Sequence, residues 1–289
     1  METSVYIYVC PVLYAIFTWW FLTGAVLYVV GLPRRSVRWT MSCASGVLAA
    51  ALFILWQTSD DTTPKGAYIG FTSALLVWGW HEMSFLTGMV TGPRTTECPK
   101  PILERASLWA AIEALLYHEV ALFVTVLLFF VMLEDASNKI ALYTFTILWF
   151  MRLSAKLNIY LGVPNITEEF LPQHLTYLKT YFCRRAMNFF FPLSVTLASI
   201  ATWLLIADAA VTASPFEVTT SVFLAALSAL GLIEHWFLVL PLPSAALWSW
   251  GLWSRSQKTT EEEKGTATLS CVTVPVKVEA IQPVRGTFC

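Results

Sequence analysis

The chain has 289 residues, of which 57% are apolar and only 13% are charged, and its mean hydropathy is +0.63. Soluble domains are roughly 45–50% apolar and about 25% charged, so this composition excludes a soluble enzyme or DNA-binding protein and indicates an integral membrane protein. The 18 Lys and Arg nearly balance the 19 Asp and Glu, which leaves no basic excess to attract nucleic acid.

Apolar runs of the length of a membrane-crossing helix, about 20 residues, recur along the chain. In chain order they cover about 5–30, 40–56, 68–88, 108–132, 140–159, 190–207 and 218–240. We therefore predict an all-α fold, a polytopic membrane bundle of about seven transmembrane helices within residues 1–254. We expect the first run to be retained as a helix, because no Lys or Arg precedes it and no small-residue cleavage motif follows it.

The positions of the cations predict the orientation, because Lys and Arg near helix ends stay on the cytoplasmic side. All 18 Lys and Arg except Lys65 and Lys139 lie on one set of alternate loops, on the helix ends beside them, or in the C-terminal segment. We therefore expect a multi-pass protein with a periplasmic N-terminus and a cytoplasmic C-terminus.

Two cytoplasmic segments are predicted outside the spans. Within about 166–186, Thr167, Glu168 and Glu169 can cap a short amphipathic helix, which we expect to lie along the membrane surface. Its apolar face would consist of Phe170, His174, Tyr177, Leu178 and Tyr181. Residues 255–289 are polar and poor in aromatic residues, and we expect them to form a disordered cytoplasmic tail.

Titratable residues inside the apolar spans are costly in a membrane and therefore mark candidate sites. They are His81, Glu82, Glu113, His118, Glu119, Glu234 and His235. A helical rise of about 1.5 Å per residue places His118 and Glu119 near the midplane and the others in the cytoplasmic half. His174, with Glu168 and Glu169, approaches the same layer from the cytoplasmic face.

Three kinds of chemistry fit this set. Neutral His and paired or protonated Glu can link helices by hydrogen bonds. Imidazole and carboxylate can also hold non-haem iron or another transition metal, although the HxxxH, HxxHH and ExxH spacings are absent. The candidate metal ligands are His81, His118, His235, Glu113 and Glu234. A third reading makes His81 an axial ligand of a tetrapyrrole, with clearance from Gly79 and stacking from Trp78 and Trp80.

Arg152 and Lys156 are one helical turn apart on the predicted fifth span. They can snorkel to lipid phosphates, or they can form a cation pair that faces the Glu cluster or an anionic ligand such as a propionate. A cytoplasmic belt of interfacial tryptophans is predicted at Trp39, Trp109, Trp248, Trp250 and Trp253. The six Cys include no CxxC pair, so neither a disulfide framework nor a thiolate zinc site is predicted.

Four strings resemble the PuhE family, photosynthetic complex assembly proteins of anoxygenic phototrophic bacteria. They are WGWHEMSFLTG from Trp78, RLSAKLNIYLGVPN from Arg152, TEEFLPQH from Thr167 and EHWFLVLP from Glu234. The likeness covers about residues 14–255. It implies a protein of the bacterial inner (intracytoplasmic) membrane, encoded beside the reaction-centre H subunit, that acts in bacteriochlorophyll supply or in reaction-centre and light-harvesting assembly.

The resemblance favours a binding or assembly factor without turnover, and it supplies no catalytic residues. The candidate cofactor is a bacteriochlorophyll-type tetrapyrrole or a transition metal, and the candidate partners are membrane lipid, reaction-centre or light-harvesting polypeptides and pigment-synthesis enzymes. The alternative is a metal-dependent membrane oxidoreductase that acts on a tetrapyrrole or isoprenoid through the His/Glu site. The ligand-binding or pigment-binding candidates are His81, Glu82, Glu113, His118, Glu119, Arg152, Lys156, His174, Glu234 and His235.

Overall fold

The computed structural model describes residues 5–99, 105–166 and 168–254, which form helices joined by loops. The long helices are α1 (Cys10–Gly31, preceded by a π-helical turn at Val5–Val9), α2 (Val37–Gln57), α3 (Pro64–Leu86), α4 (Arg105–Met132), α5 (Ile140–Leu161), α6 (Phe190–Val211) and α7 (Pro215–Phe237). Each of these helices coincides with a predicted apolar run to within a few residues. The prediction of an all-helical membrane bundle is therefore confirmed. The predicted tail, 255–289, lies outside the described residues.

Within the described residues, six helices are long and apolar enough to cross a membrane, and α3 is not among them. At 23 residues α3 has the required length, but it carries Lys65, His81 and Glu82. It packs against α1, α2, α4, α5 and α7, so protein rather than lipid surrounds much of it. An enclosed helix needs less apolar surface than a lipid-facing one. That α3 also crosses the membrane stays a prediction.

The outer helices present apolar side chains away from the bundle. Phe53 on α2, Phe130 on α4 and Trp203 on α6 are all more than half exposed when the protein is considered alone. Because these helices are membrane-embedded, such side chains contact lipid. Packing between helices, rather than transfer out of water, then supplies most of the stabilisation of the bundle.

The centre of the bundle is the contact between α3 and α7. Phe71 of α3 stacks on Phe223 of α7 with ring centroids 4.4 Å apart, and both side chains are fully buried. Both helices begin with proline after a hydroxyl cap: Thr63 accepts a hydrogen bond from the Gly66 amide before Pro64, and Ser214 caps α7 in the same way. These defined starts fix the register of the side chains farther along α3 and α7.

The segment predicted as an amphipathic helix forms two 3-10 helices, Glu168–Phe170 and Gln173–Tyr181. We call residues 168–182 the cap segment. Leu175, Leu178 and Tyr181 are buried in one cluster with residues from the ends of α1 and α3. Of the predicted apolar face, Leu178 and Tyr181 are thus buried at one end of the bundle and Phe170 and Tyr177 are partly buried there, whereas His174 is exposed. Thr167, the predicted helix cap, lies outside the described residues.

Hydrogen bonds and ion pairs hold the cap segment in place. The guanidinium of Arg94 donates from Nε to the Tyr181 hydroxyl at 2.9 Å, and the Cys98 amide donates to Thr180 at 2.8 Å. Glu168 pairs with Arg184 at 2.7 Å and with Lys179 at 3.3 Å. The hydrogen bond from Arg184 holds the pKa of Glu168 below its ordinary value of 4.5.

The tryptophan belt predicted for the interface is wrong at Trp248. Its side chain is only 4% exposed, and its indole donates to the Trp20 carbonyl oxygen at 3.0 Å. Trp248 therefore packs against the cap segment at the end of the bundle instead of lying at a lipid surface. Its position follows from the 3-10 helix Ser244–Trp248, which turns the chain back towards α1.

Candidate ligand-binding cavity

A cavity of about 370 Å³ lies between α1, α3, α5 and α7, with smaller contributions from α4, and the cap segment and Trp248 line one end of it. Its walls are mainly apolar and aromatic. The apolar wall includes Leu22 and Leu27 of α1, Leu75 and Trp78 of α3, Ile147 and Leu148 of α5, and Leu227 and Leu230 of α7. This size and lining are typical of a site for a small hydrophobic molecule.

Charged side chains cross this cavity as a band that we call the polar belt: Glu82, Glu119, Arg152, Lys156 and Glu234. Glu82, Arg152, Lys156 and Glu234 line the cavity directly. Arg152 Nη2 lies 3.5 Å from Glu82 Oε2, and Lys156 Nζ lies 2.6 Å from Glu119 Oε1. Both cations therefore face carboxylates within the bundle.

Two tryptophans donate hydrogen bonds to carboxylates of the polar belt. The Trp19 indole of α1 donates to Glu234 Oε1 at 2.7 Å, and the Trp149 indole of α5 donates to Glu119 Oε2 at 3.1 Å. These bonds tie α1 to α7 and α5 to α4. Sequence reasoning missed both donors. Trp149 had a usable signal, since it shares a helix face with Arg152 and Lys156 at steps of three and four residues.

The belt contains three carboxylates and two cations. Arg152 is within electrostatic range of Glu82, Glu234 and Glu119. Glu82 Oε1 is buried and has no hydrogen-bond partner in the part of the chain that the structure describes. The belt thus offers a ligand both an unused acceptor, Glu82 Oε1, and the N–H donors of Arg152. It also has one more carboxylate than cations, which does not favour a further anion.

His81, His118 and His235 contact different neighbouring residues, and none of them lines the cavity. His235 donates from Nδ1 to the Gly231 carbonyl oxygen at 2.8 Å, and its Nε2 lies 2.9 Å from the Ser154 hydroxyl. A neutral imidazole has one donor and one acceptor nitrogen, so Ser154 donates and both nitrogens are used. This geometry is that of a link between α7 and α5, with no lone pair left for a metal.

His81 makes a comparable link between α3 and α4. The Thr125 hydroxyl donates to the Ala121 carbonyl oxygen, so it accepts from His81 Nε2 at 2.9 Å. His118 is buried with its ring 4.7 Å from that of Phe85. Nδ1 of His81 and of His118 is buried without a hydrogen-bond partner among the described residues.

The remaining candidates lie near the cap segment. Glu113 is 3.6 Å from Arg94, and half of its side chain is exposed, outside the cavity lining. His174 is exposed beside Gly88. Across the described ranges, no three His, Cys, Asp or Glu side chains come together in a group that could hold a metal ion. The structure therefore pairs the acidic and basic candidates of the belt with each other, and it bonds His81 and His235 to hydroxyls of neighbouring helices. His118 lies within electrostatic range of Lys156, Glu119 and Arg152.

Fold and site together define a polytopic helical membrane protein with a hydrophobic cavity crossed by a polar belt. The chain belongs to the family described as "Protein of unknown function (DUF3623)", whose model matches residues 5–259. It is similar to the "Uncharacterized 30.4 kDa protein in puhA 5'region" of Rhodobacter capsulatus, with 39% identity over 241 residues that cover 82% of this chain and 88% of that protein. No solved structure matches the chain.

Proposed function

We propose that this protein is an integral membrane factor that binds a hydrophobic molecule and serves the assembly of bacterial photosynthetic complexes, through bacteriochlorophyll supply or reaction-centre and light-harvesting assembly. The observation that carries the binding role is the apolar cavity between α1, α3, α5 and α7. The photosynthetic setting is supported by the printed name of the relative, which refers to the puhA 5′ region, and by the strings that resemble the PuhE family. The corresponding location is the intracytoplasmic membrane.

The geometry favours binding over turnover. Both cations of the polar belt are engaged by carboxylates, and His81 and His235 hydrogen-bond to hydroxyls of neighbouring helices. The oxidoreductase alternative requires a metal site, and the described residues contain no group of three or more ligating side chains to provide one. Partners among reaction-centre polypeptides, light-harvesting polypeptides or pigment-synthesis enzymes belong to the same proposal.

A deletion strain of the native organism tests this function. Membranes without the protein should show weaker reaction-centre and light-harvesting absorption, while transcripts for the pigment-binding polypeptides stay at wild-type levels. The wild-type gene should restore the absorption. Unchanged complex levels in the deletion strain would contradict the proposal, and a stoichiometric transition metal in the purified protein would favour the oxidoreductase.

A further inference from the structure

We propose that the cavity binds an uncharged single-chain amphiphile: one hydrocarbon chain that carries a hydroxyl, carbonyl or ester oxygen at the level of Arg152. This inference rests on the proposed binding function and names the class of ligand. Three independent features carry it, namely the shape of the cavity, the charges of the polar belt and an open glycine in the cavity wall.

The shape selects a chain. Lining residues run from Leu75 to Leu86 on α3 and from Ile147 to Tyr160 on α5, which corresponds to about 16 and 20 Å at the helical rise. The lining is therefore elongated along the helices and mainly apolar, which matches an extended hydrocarbon chain.

The polar belt selects an uncharged head group with an oxygen that can accept a hydrogen bond from Arg152, and a hydroxyl can also donate to Glu82 Oε1. Arg152 lines the cavity with 43% of its side chain exposed, and its guanidinium has more N–H donors than Glu82 can take up. A ligand oxygen can accept one of them. A ligand carboxylate would instead bring a fourth carboxyl group to two cations that already pair with Glu82 and Glu119, in a medium of low dielectric constant where like charges repel strongly.

Gly79 keeps part of the cavity open. It lies in the interior of α3 and lines the cavity, and a Cβ built there meets no atom within 4 Å. Gly70 on the same helix differs, because its Cβ would meet Ile140 at 2.5 Å, so there the glycine serves close packing. Glycine is a poor residue for a helix interior. At position 79 its missing side chain leaves space for a ligand and not for a neighbouring helix.

Photolabelling in nanodiscs of phosphatidylcholine tests the proposal. The probes are hexadecanol, hexadecanoic acid and phosphatidylcholine, each with the same diazirine-bearing, alkyne-tagged chain. The variants are Gly79→Phe and, as a matched control, Gly46→Phe, because Gly46 lies on α2 outside the cavity and also has open space at its Cβ. Mass spectrometry of the labelled peptides locates the bound chain.

We expect hexadecanol to label cavity-lining residues of the wild type and of Gly46→Phe, and unlabelled hexadecanol to compete. Gly79→Phe should reduce this labelling at least about tenfold, because the phenyl group fills space that the chain would occupy and overpacking of a filled site is costly. Hexadecanoic acid should label the cavity more weakly than the alcohol. Gly79→Leu provides a smaller obstruction if the Phe variant fails to fold.

Four results would overturn the proposal. Unlabelled hexadecanol could fail to reduce the cavity labelling, or the acid could label the cavity as strongly as the alcohol. Phosphatidylcholine could label it equally strongly, which would make the cavity an ordinary lipid crevice, or folded Gly79 variants could be labelled as strongly as the wild type. Complex assembly is measured separately in cells. Normal assembly with a blocked cavity would therefore contradict the proposed function without changing the ligand class measured in nanodiscs.

Discussion

The Lys156–Glu119 ion pair shows how single side chains shape the interior of this bundle. Its two charges lie 2.6 Å apart on α5 and α4, and only about a fifth of each side chain is exposed. Removal of two ions from water is costly, and the cost is offset only when both partners are present. Loss of one partner should therefore be more harmful than loss of both.

Lys156→Met should lower the free energy of unfolding by about 3–5 kcal/mol, because it leaves the Glu119 charge buried without its partner. The double variant Lys156→Met with Glu119→Gln should recover most of that loss. Lys179→Met is the matched control: Lys179 and Glu168 are about one-third exposed, and Arg184 still pairs with Glu168, so a change of at most about 1 kcal/mol is expected. Unfolding in mixed detergent micelles measures all of these values. Equal losses of the free energy of unfolding in Lys156→Met and Lys179→Met would contradict a stabilising role for the buried Lys156–Glu119 pair.

His235 should tolerate glutamine but not leucine. Glutamine keeps a donor and an acceptor for Gly231 and Ser154, whereas leucine leaves the half-buried Ser154 hydroxyl without its His235 partner. A double-mutant cycle of His235→Leu with Ser154→Ala should give a coupling energy of about 0.5–2 kcal/mol.

Complex assembly should survive in the His235→Gln variant. If His81→Gln and His235→Gln both accumulate in the membrane yet fail to support assembly, a shared ligand site is favoured over interhelical links.

Sequence reasoning located the titratable residues of the bundle but not their partners. Glu82, Arg152 and Glu234 stand out because charge is rare in an apolar run. Trp19 and Ser154 carry no such signal, since aromatic and hydroxyl residues are frequent throughout these helices. Which of them meets a charge depends on how the helices rotate and pack, and one sequence does not specify those contacts.

At the scale of elements, helix positions follow closely from the sequence. Apolar runs mark the spans, and α3 and α7 begin at prolines after hydroxyl caps. The cap segment was harder to predict. Its apolar spacing suits an α-helix, but Pro172 interrupts it, and Gly162, with a φ of +118° in the left-handed region, turns the chain at the end of α5.

The cap segment should loosen in acid. Because ion pairing lowers the pKa of Glu168 in the folded state, its stabilising contribution is fully present above pH 4.5 and is lost as the pH falls further, through the lowered pKa. Hydrogen exchange of residues 168–181 should therefore show less protection below pH 4.5 than at pH 6. Glu168→Gln should show weaker protection at pH 6 and a smaller change on acidification. An identical pH response in the variant would contradict a role for this carboxylate.

At the scale of the whole molecule, the uneven distribution of cations predicts the orientation of the bundle. It also places the cap segment and the nearby end of the cavity on the cytoplasmic side. A reporter that is active only in the periplasm should be silent when fused after Trp253 and active when inserted between Asp60 and Lys65. The opposite pattern would contradict the predicted orientation and would place the cap segment and its end of the cavity on the periplasmic side.

The central claim is that the cavity between α1, α3, α5 and α7 is the working site of the protein. The most direct test is the absorption spectrum of membranes from the deletion strain that carries either Gly79→Phe or Gly46→Phe, with equal amounts of each variant in the membrane. Gly46→Phe should restore reaction-centre and light-harvesting absorption to the wild-type level, and Gly79→Phe should leave it at the level of the deletion strain. Full restoration by Gly79→Phe would contradict the claim.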